Sequence, residues 1–146
     1  MKAFLRTLPL FCVMIGIFVL SNQPGNTLPL PSFFGADKVA HFLVYGLLAA
    51  AALTSSSFLK GRLRPTSIGL LVVVFCILYG ISDEYHQSFV PFRSVSAADV
   101  LADATGALCT VLLWLRTDHA RSWGQRQRPV SKDGEKTGGD RKCSED

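Results

Sequence analysis

Apolar and polar positions alternate along this chain in blocks, not within elements. Four stretches are almost uninterruptedly apolar, at about 4–20, 39–59, 66–82 and 97–115. The first is broken only by Arg6, Thr7 and Pro9, and the third carries no charge at all. At about 1.5 Å rise per residue, a helix of roughly 17–21 residues approaches the ~30 Å hydrocarbon core of a bilayer. An isolated strand there would leave its backbone groups without partners, so each block predicts a helix. The expected architecture is all-α, an integral-membrane four-helix bundle. Its helices fall at 1–21, 39–59, 66–82 and 97–115. A 22–38 loop, a 60–65 turn and an 83–96 loop join them, and a polar 116–146 tail without apolar periodicity reads as disordered.

The charge distribution agrees. Of 146 residues 49% are apolar and 18% charged, against about a quarter charged in a soluble domain. Residues 116–146 alone hold eight Lys/Arg and six Asp/Glu, leaving twelve charges for the first 115 positions. The net charge of +4 does not imply a nucleic-acid partner, because the basic residues lie in short clusters and the tail with no recognition motif around them. Lys2 and Arg6 before an apolar run are reminiscent of a signal peptide, but Ser21-Asn22-Gln23-Pro24 offers no small-x-small cleavage pattern, so an uncleaved first helix is expected. With the N-terminus inside, 13 Lys/Arg fall on the cytoplasmic side and only Lys38 and Arg93 outside. Both termini are thus expected in the cytoplasm of a multi-pass inner-membrane protein. Cys12, Cys76, Cys109 and Cys143 show no zinc spacing and no disulfide framework. Trp114 and Trp123 suit anchors at the cytoplasmic interface.

On this topology the ionisable residues of the last three helices, other than the basic turn near 60–64, gather at the outer leaflet. Lys38, His41 and Tyr45 share a helical face, as do Asp99 and Asp103, with Gly106 continuing the latter and permitting close helix approach. Asp83, Glu84, Gln87 and Arg93 lie in the loop beside them. Carboxylates inside a helix cost about 2.5–3.5 kcal/mol each at mid-membrane, so they face protein or water and have partners. Two readings follow: a charge-compensated bundle locked by ion pairs, or a cleft open to the outer face that binds or transforms a ligand.

The string Asp37-Lys38-Val39-Ala40-His41-Phe42-Leu43-Val44-Tyr45 resembles the first signature of the VanZ-like membrane family. The run from Ser82-Asp83-Glu84 through Gln87 to Arg93 resembles its second, and Asp99-Val100-Leu101-Ala102-Asp103-Ala104-Thr105-Gly106 completes it. The resemblance covers about 37–115 and implies a small multi-helix protein of the bacterial cell envelope. The member that names the family is an accessory protein in teicoplanin resistance; most relatives have no assigned biochemistry. Lys38, His41, Asp83, Glu84, Gln87, Arg93, Asp99 and Asp103 match the family motif and are the expected ligand-binding residues.

Two functions are open at this point. One is a non-enzymatic binder of a lipid-linked or anionic envelope component, with Lys38 and Arg93 holding a phosphate or carboxylate. The other is an intramembrane enzyme, a hydrolase or transferase, with His41, Glu84 or Asp83 as acid and base. In it His41, Glu84, Asp99 and Asp103 are candidate ligands of a metal. No ligand spacing names a metal or cofactor, and no nucleophile stands out; Ser82 and Ser94 are the nearest hydroxyls. Transport ranks last, because four short helices make a small unit for alternating access. The bilayer is the one certain partner, and the sequence gives no oligomeric state.

Overall fold

The computed structural model describes residues 2–24 and 35–126, with side chains for 5–24 and 35–118. Within them the chain forms four helices, α1 (Lys2–Ser21), α2 (Ala36–Ser55), α3 (Pro65–Gln87) and α4 (Ala97–Arg126), with a 3-10 turn at Ser56–Leu59 and no strand. Local chemistry fixes the ends. Gly35, at φ +86°, starts α2 in a left-handed conformation that glycine adopts without steric cost. Pro65 opens α3 at the first helical position, where its missing N–H costs nothing. Ser96 caps α4, its hydroxyl accepting the Ala98 N–H at 3.2 Å.

Three helices differ from the sequence expectation in ways that matter. Helix α2 begins at Ala36, so Asp37 and Lys38 occupy its first turn and not a loop. Helix α3 continues five residues past the apolar block to Gln87, which puts Asp83, Glu84 and Gln87 on a helix. The apolar pattern stops at Ser82 because the following residues are polar, yet three of them are buried against neighbouring helices and the backbone keeps its helical bonds. Helix α4 likewise runs to Arg126, beyond the expected end at 115, so 116–126 of the tail expected to be disordered are helical, while 127–146 fall outside the described residues. The side chain of Trp123, the loop at 25–34 and Cys143 fall outside the described residues.

Helix α2 is the centre of the bundle. Tyr45, Leu48, Ala49, Ala52 and Leu53 on its buried face meet Ile68, Val72 and Cys76 of α3, Ala107 and Val111 of α4, and Ile17 of α1. Small residues set the α2–α4 distance. A Cβ on Gly106 would collide with the Phe42 carbonyl, and one on Gly46 would press the Thr110 hydroxyl at 3.2 Å. Such close approach is how helices associate in lipid, where burial of apolar surface gives no net drive. The outer surface is apolar, with Leu43, Leu47, Leu70, Leu78, Leu101, Leu112 and Leu113 exposed. Three helical segments, Ala36–Leu59, Pro65–Gln87 and Ala97–Asp118, are long and apolar enough to cross a membrane. The apolar part of α1, Leu5–Ser21, is shorter.

The bundle has two chemically distinct ends. Ser55 donates to the Arg6 carbonyl at 3.0 Å, and Arg6 donates to Ser57 at 3.3 Å. Lys60 pairs with Asp118 at 3.7 Å and lies over the Trp114 ring. This end is basic. The starts of α2 and α4 and the ends of α1 and α3 form the other end, which holds the acids.

Candidate functional site

Helices α2 and α4 both start at the acidic end and run the same way, so residues a turn apart on one meet residues a turn apart on the other. Two rungs result. Lys38 Nζ donates to Asp99 Oδ1 at 3.0 Å, and also to Asp37 Oδ2 at 3.0 Å. One turn further in, His41 Nδ1 lies 3.0 Å from Asp103 Oδ1. The next contact is the Gly106–Phe42 backbone approach, which brings the helices near enough for both rungs to close. The second oxygen of Asp103 sits over Gly80 of α3, where a Cβ would lie 2.7 Å from it. Tyr45 stacks one turn below His41, ring centroids 6.4 Å apart.

Helix α3 brings the third side. Glu84 Oε2 accepts the Ser96 N–H at 3.0 Å, tying the end of α3 to the start of α4. Gln87 Nε2 donates to Asp83 Oδ2 at 2.9 Å and to Ser21 Oγ at 3.3 Å, so α1 joins the layer. Asp83, Glu84, Gln87, Asp99 and Asp103 are all buried. Among the described residues four buried polar atoms lack a hydrogen-bond partner: Glu84 Oε1, Asp103 Oδ2, the Tyr45 hydroxyl and His86 Nε2. One ligand atom from each of His41, Glu84 and Asp99 lies within 4.8 Å of the others.

A cavity of about 140 Å³ opens beside this cluster. Ile17, Leu20 and Ser21 of α1 form one wall, and Asp37, Ala40, His41, Val44 and Tyr45 of α2 another. Asp83, Gln87 and Arg93 close it. Arg93 spends Nη2 on the Leu20 carbonyl at 2.9 Å and Nε on the Gln23 carbonyl at 3.2 Å, which satisfies the open end of α1. These two bonds use Nη2 and Nε and do not involve Nη1.

All eight residues singled out from the sequence lie at this end, in two groups. Lys38, His41, Glu84, Asp99 and Asp103 meet between α2, α3 and α4. Asp83, Gln87 and Arg93 meet α1 around the cavity. Both basic residues already have protein partners: Lys38 lies between two carboxylates, and Arg93 gives Nη2 and Nε to carbonyls at and just beyond the end of α1. Ser82 and Ser94 are exposed. His86 packs against Phe18 at 5.0 Å. Sequence reasoning missed Ser21, Gly80 and the whole contribution of α1. For Ser21 a signal existed, because Ile17 and Ser21 are four apart and share the buried face of a short apolar helix.

The family model described as VanZ/LLP1 matches residues 6–118, most of the chain, and the chain belongs to that family. No curated protein and no solved structure matches it.

Proposed function

We propose that this VanZ-like membrane protein lies in the bacterial cytoplasmic membrane with both termini inside, and that its cavity holds the headgroup of a polar envelope lipid or lipid-linked component at the outer leaflet. The orientation is supported by the 13-to-2 split of Lys/Arg between the two sides. The single observation that carries the binding reading is the mixed lining of the cavity, where Asp37, Asp83, Gln87 and Arg93 occur together with Ile17, Leu20 and Val44. Leu20 is half exposed on the lipid-facing surface, so an acyl chain has a path to the rim.

The charges narrow the ligand. Two carboxylates accept from hydroxyl or ammonium groups, while Arg93 Nη1 donates to a phosphate. A bare multiply charged anion would meet Asp37 and Asp83 as like charges, whereas a phosphate carrying hydroxyl or amine donors satisfies both signs. Native mass spectrometry with envelope lipid extract tests this. Wild type retains lipid through detergent removal, and Ala40→Leu, whose longer side chain fills the cavity, comes through empty. Equal lipid on both proteins refutes binding in this cavity.

The His41–Asp103 pair favours a second reading, an intramembrane hydrolase or transferase acting on the same class of lipid. Asp103 engages Nδ1 and leaves Nε2 free to move a proton. Recovery of the incubated lipid separates the readings. A binder returns it unchanged, and an enzyme returns a product that His41→Ala abolishes.

A further inference from the structure

We infer that His41, Glu84 and Asp99 form a binding site for a divalent metal ion, of the kind that accepts mixed nitrogen and oxygen donors, between α2, α3 and α4. The site shares only His41 with the cavity and stands without the lipid reading. Geometry is the first support. One donor atom from each of the three residues falls within 4.8 Å of the other two, although they come from three helices. Zinc bonds of about 2.0–2.2 Å separate tetrahedral ligands by roughly 3.3–3.5 Å, so the donors must close by on the order of an ångström, within reach of side-chain rotation.

The second support is independent. Glu84 is buried, with 4% of its surface exposed, and it uses one oxygen on the Ser96 N–H while the other has no partner among the described residues. A carboxylate oxygen left bare in a low-dielectric interior is costly, and a cation among these three residues removes that cost. Asp103 supplies the third argument. Its contact with His41 Nδ1 fixes the imidazole and leaves Nε2 as the nitrogen for a metal, the arrangement by which a carboxylate orients a metal-ligating histidine. Asp103 is therefore a positioning residue and not a ligand.

Charge balance points the same way. Asp83, Glu84, Asp99 and Asp103 are four buried carboxylates, and the cations near them are Lys38 and Arg93. Arg93 gives two donors to the Leu20 and Gln23 carbonyls, and Lys38, bonded to Asp99, is the nearest compensation for the cluster. Lys38 is also the rival occupant: its side chain is 41% exposed and can release Asp99 toward solvent when a metal arrives. One nitrogen and two carboxylate donors suit Zn²⁺ or Mn²⁺ better than Cu(I), which asks for sulfur.

The test uses the full chain in detergent, stripped with a chelator and then loaded with Zn²⁺ or Mn²⁺ alone. Elemental analysis is expected to return about one ion per chain, with a rise in thermal stability on loading. His41→Ala, Glu84→Gln and Asp99→Asn lose the ion, and Asp103→Asn weakens its binding by about 10–100-fold. Asp118→Asn, the same charge change at the basic end, retains it. X-ray absorption of the loaded wild type is expected to show an imidazole and oxygen shell, which keeps the test decisive if a variant fails to fold. A wild type that takes up neither ion overturns the inference, as does a sulfur shell or full loading of all three ligand variants.

Discussion

Replacing Gly106 by alanine is the most informative single perturbation of this bundle, because one methyl group acts on the helix contact and the polar rungs together. A Cβ there would lie 2.9 Å from the Phe42 carbonyl carbon and 3.1 Å from its Cα, with the carbonyl oxygen nearer still. All three atoms are backbone, so no side chain can swing away and α4 must retreat from α2 by on the order of 1 Å. Overpacking of this kind costs about 1–3 kcal/mol. The same retreat stretches the 3.0 Å His41–Asp103 contact past hydrogen-bond range, and a bond to a charged group contributes about 1.5–3 kcal/mol. Alanine returns up to about 1 kcal/mol of helix propensity. The expected net loss is about 1.5–5 kcal/mol.

Reversible unfolding in mixed micelles measures it against two internal controls. Gly46→Ala meets a hydroxyl at 3.2 Å that can rotate, so its loss is smaller. Gly16→Ala has nothing within 4 Å and is expected to be neutral or slightly stabilising. If Gly106→Ala unfolds like Gly16→Ala, α2 and α4 do not approach as described, and the rungs that depend on that approach fail with it.

Three further outcomes are expected. Arg93→Ala removes two donors from the end of α1 at a cost of about 1 kcal/mol, seen as faster hydrogen exchange confined to the last turn of α1. Phe92 holds φ at +61°, a left-handed conformation costly for a bulky residue, so Phe92→Gly raises stability by roughly 0.5–1 kcal/mol in the same unfolding assay; a loss would mean that its exposed ring anchors the loop. In a chain freed of its four cysteines, an impermeant thiol reagent labels Ser94→Cys on intact spheroplasts and Arg62→Cys only after permeabilisation. The reverse pattern refutes the proposed orientation.

How much of this was readable in the sequence depends on the range of the interaction. The faces Lys38–His41–Tyr45 and Asp99–Asp103 follow from helical spacing alone, and Gly106 as a close-approach point follows from its place on the second face. The helical state of Asp83, Glu84 and Gln87 was not readable, since their polarity ends the apolar pattern while their burial is decided by other helices. Arg93 illustrates the same limit. A lone basic residue beside acids reads as an anion holder, and nothing in its spacing tells that two of its N–H groups go to carbonyls some seventy positions away, at and just beyond the end of α1. Gly80 gave no signal, because its role is to leave space for a carboxylate on another helix.

Whether the acids are cement or a site is decided by their unspent atoms. The Lys38–Asp99 pair, the Gln87 bridge and the Arg93 contacts all hold helices together, and a bundle locked by charge needs nothing more. It does not explain why Glu84 and Asp103 each keep one buried oxygen with no partner among the described residues. A buried unpaired polar atom costs about 1–3 kcal/mol, and apolar replacements of buried charge are often neutral or stabilising. The two readings therefore differ in sign for one variant. Glu84→Gln keeps an oxygen for the Ser96 N–H and removes the charge. If the carboxylate is held for a ligand, the metal-free variant is more stable than metal-free wild type by about 1–3 kcal/mol and gains nothing on metal loading. If the carboxylate is cement, its charge is paired in the apo bundle, and Glu84→Gln unfolds more readily under the same conditions.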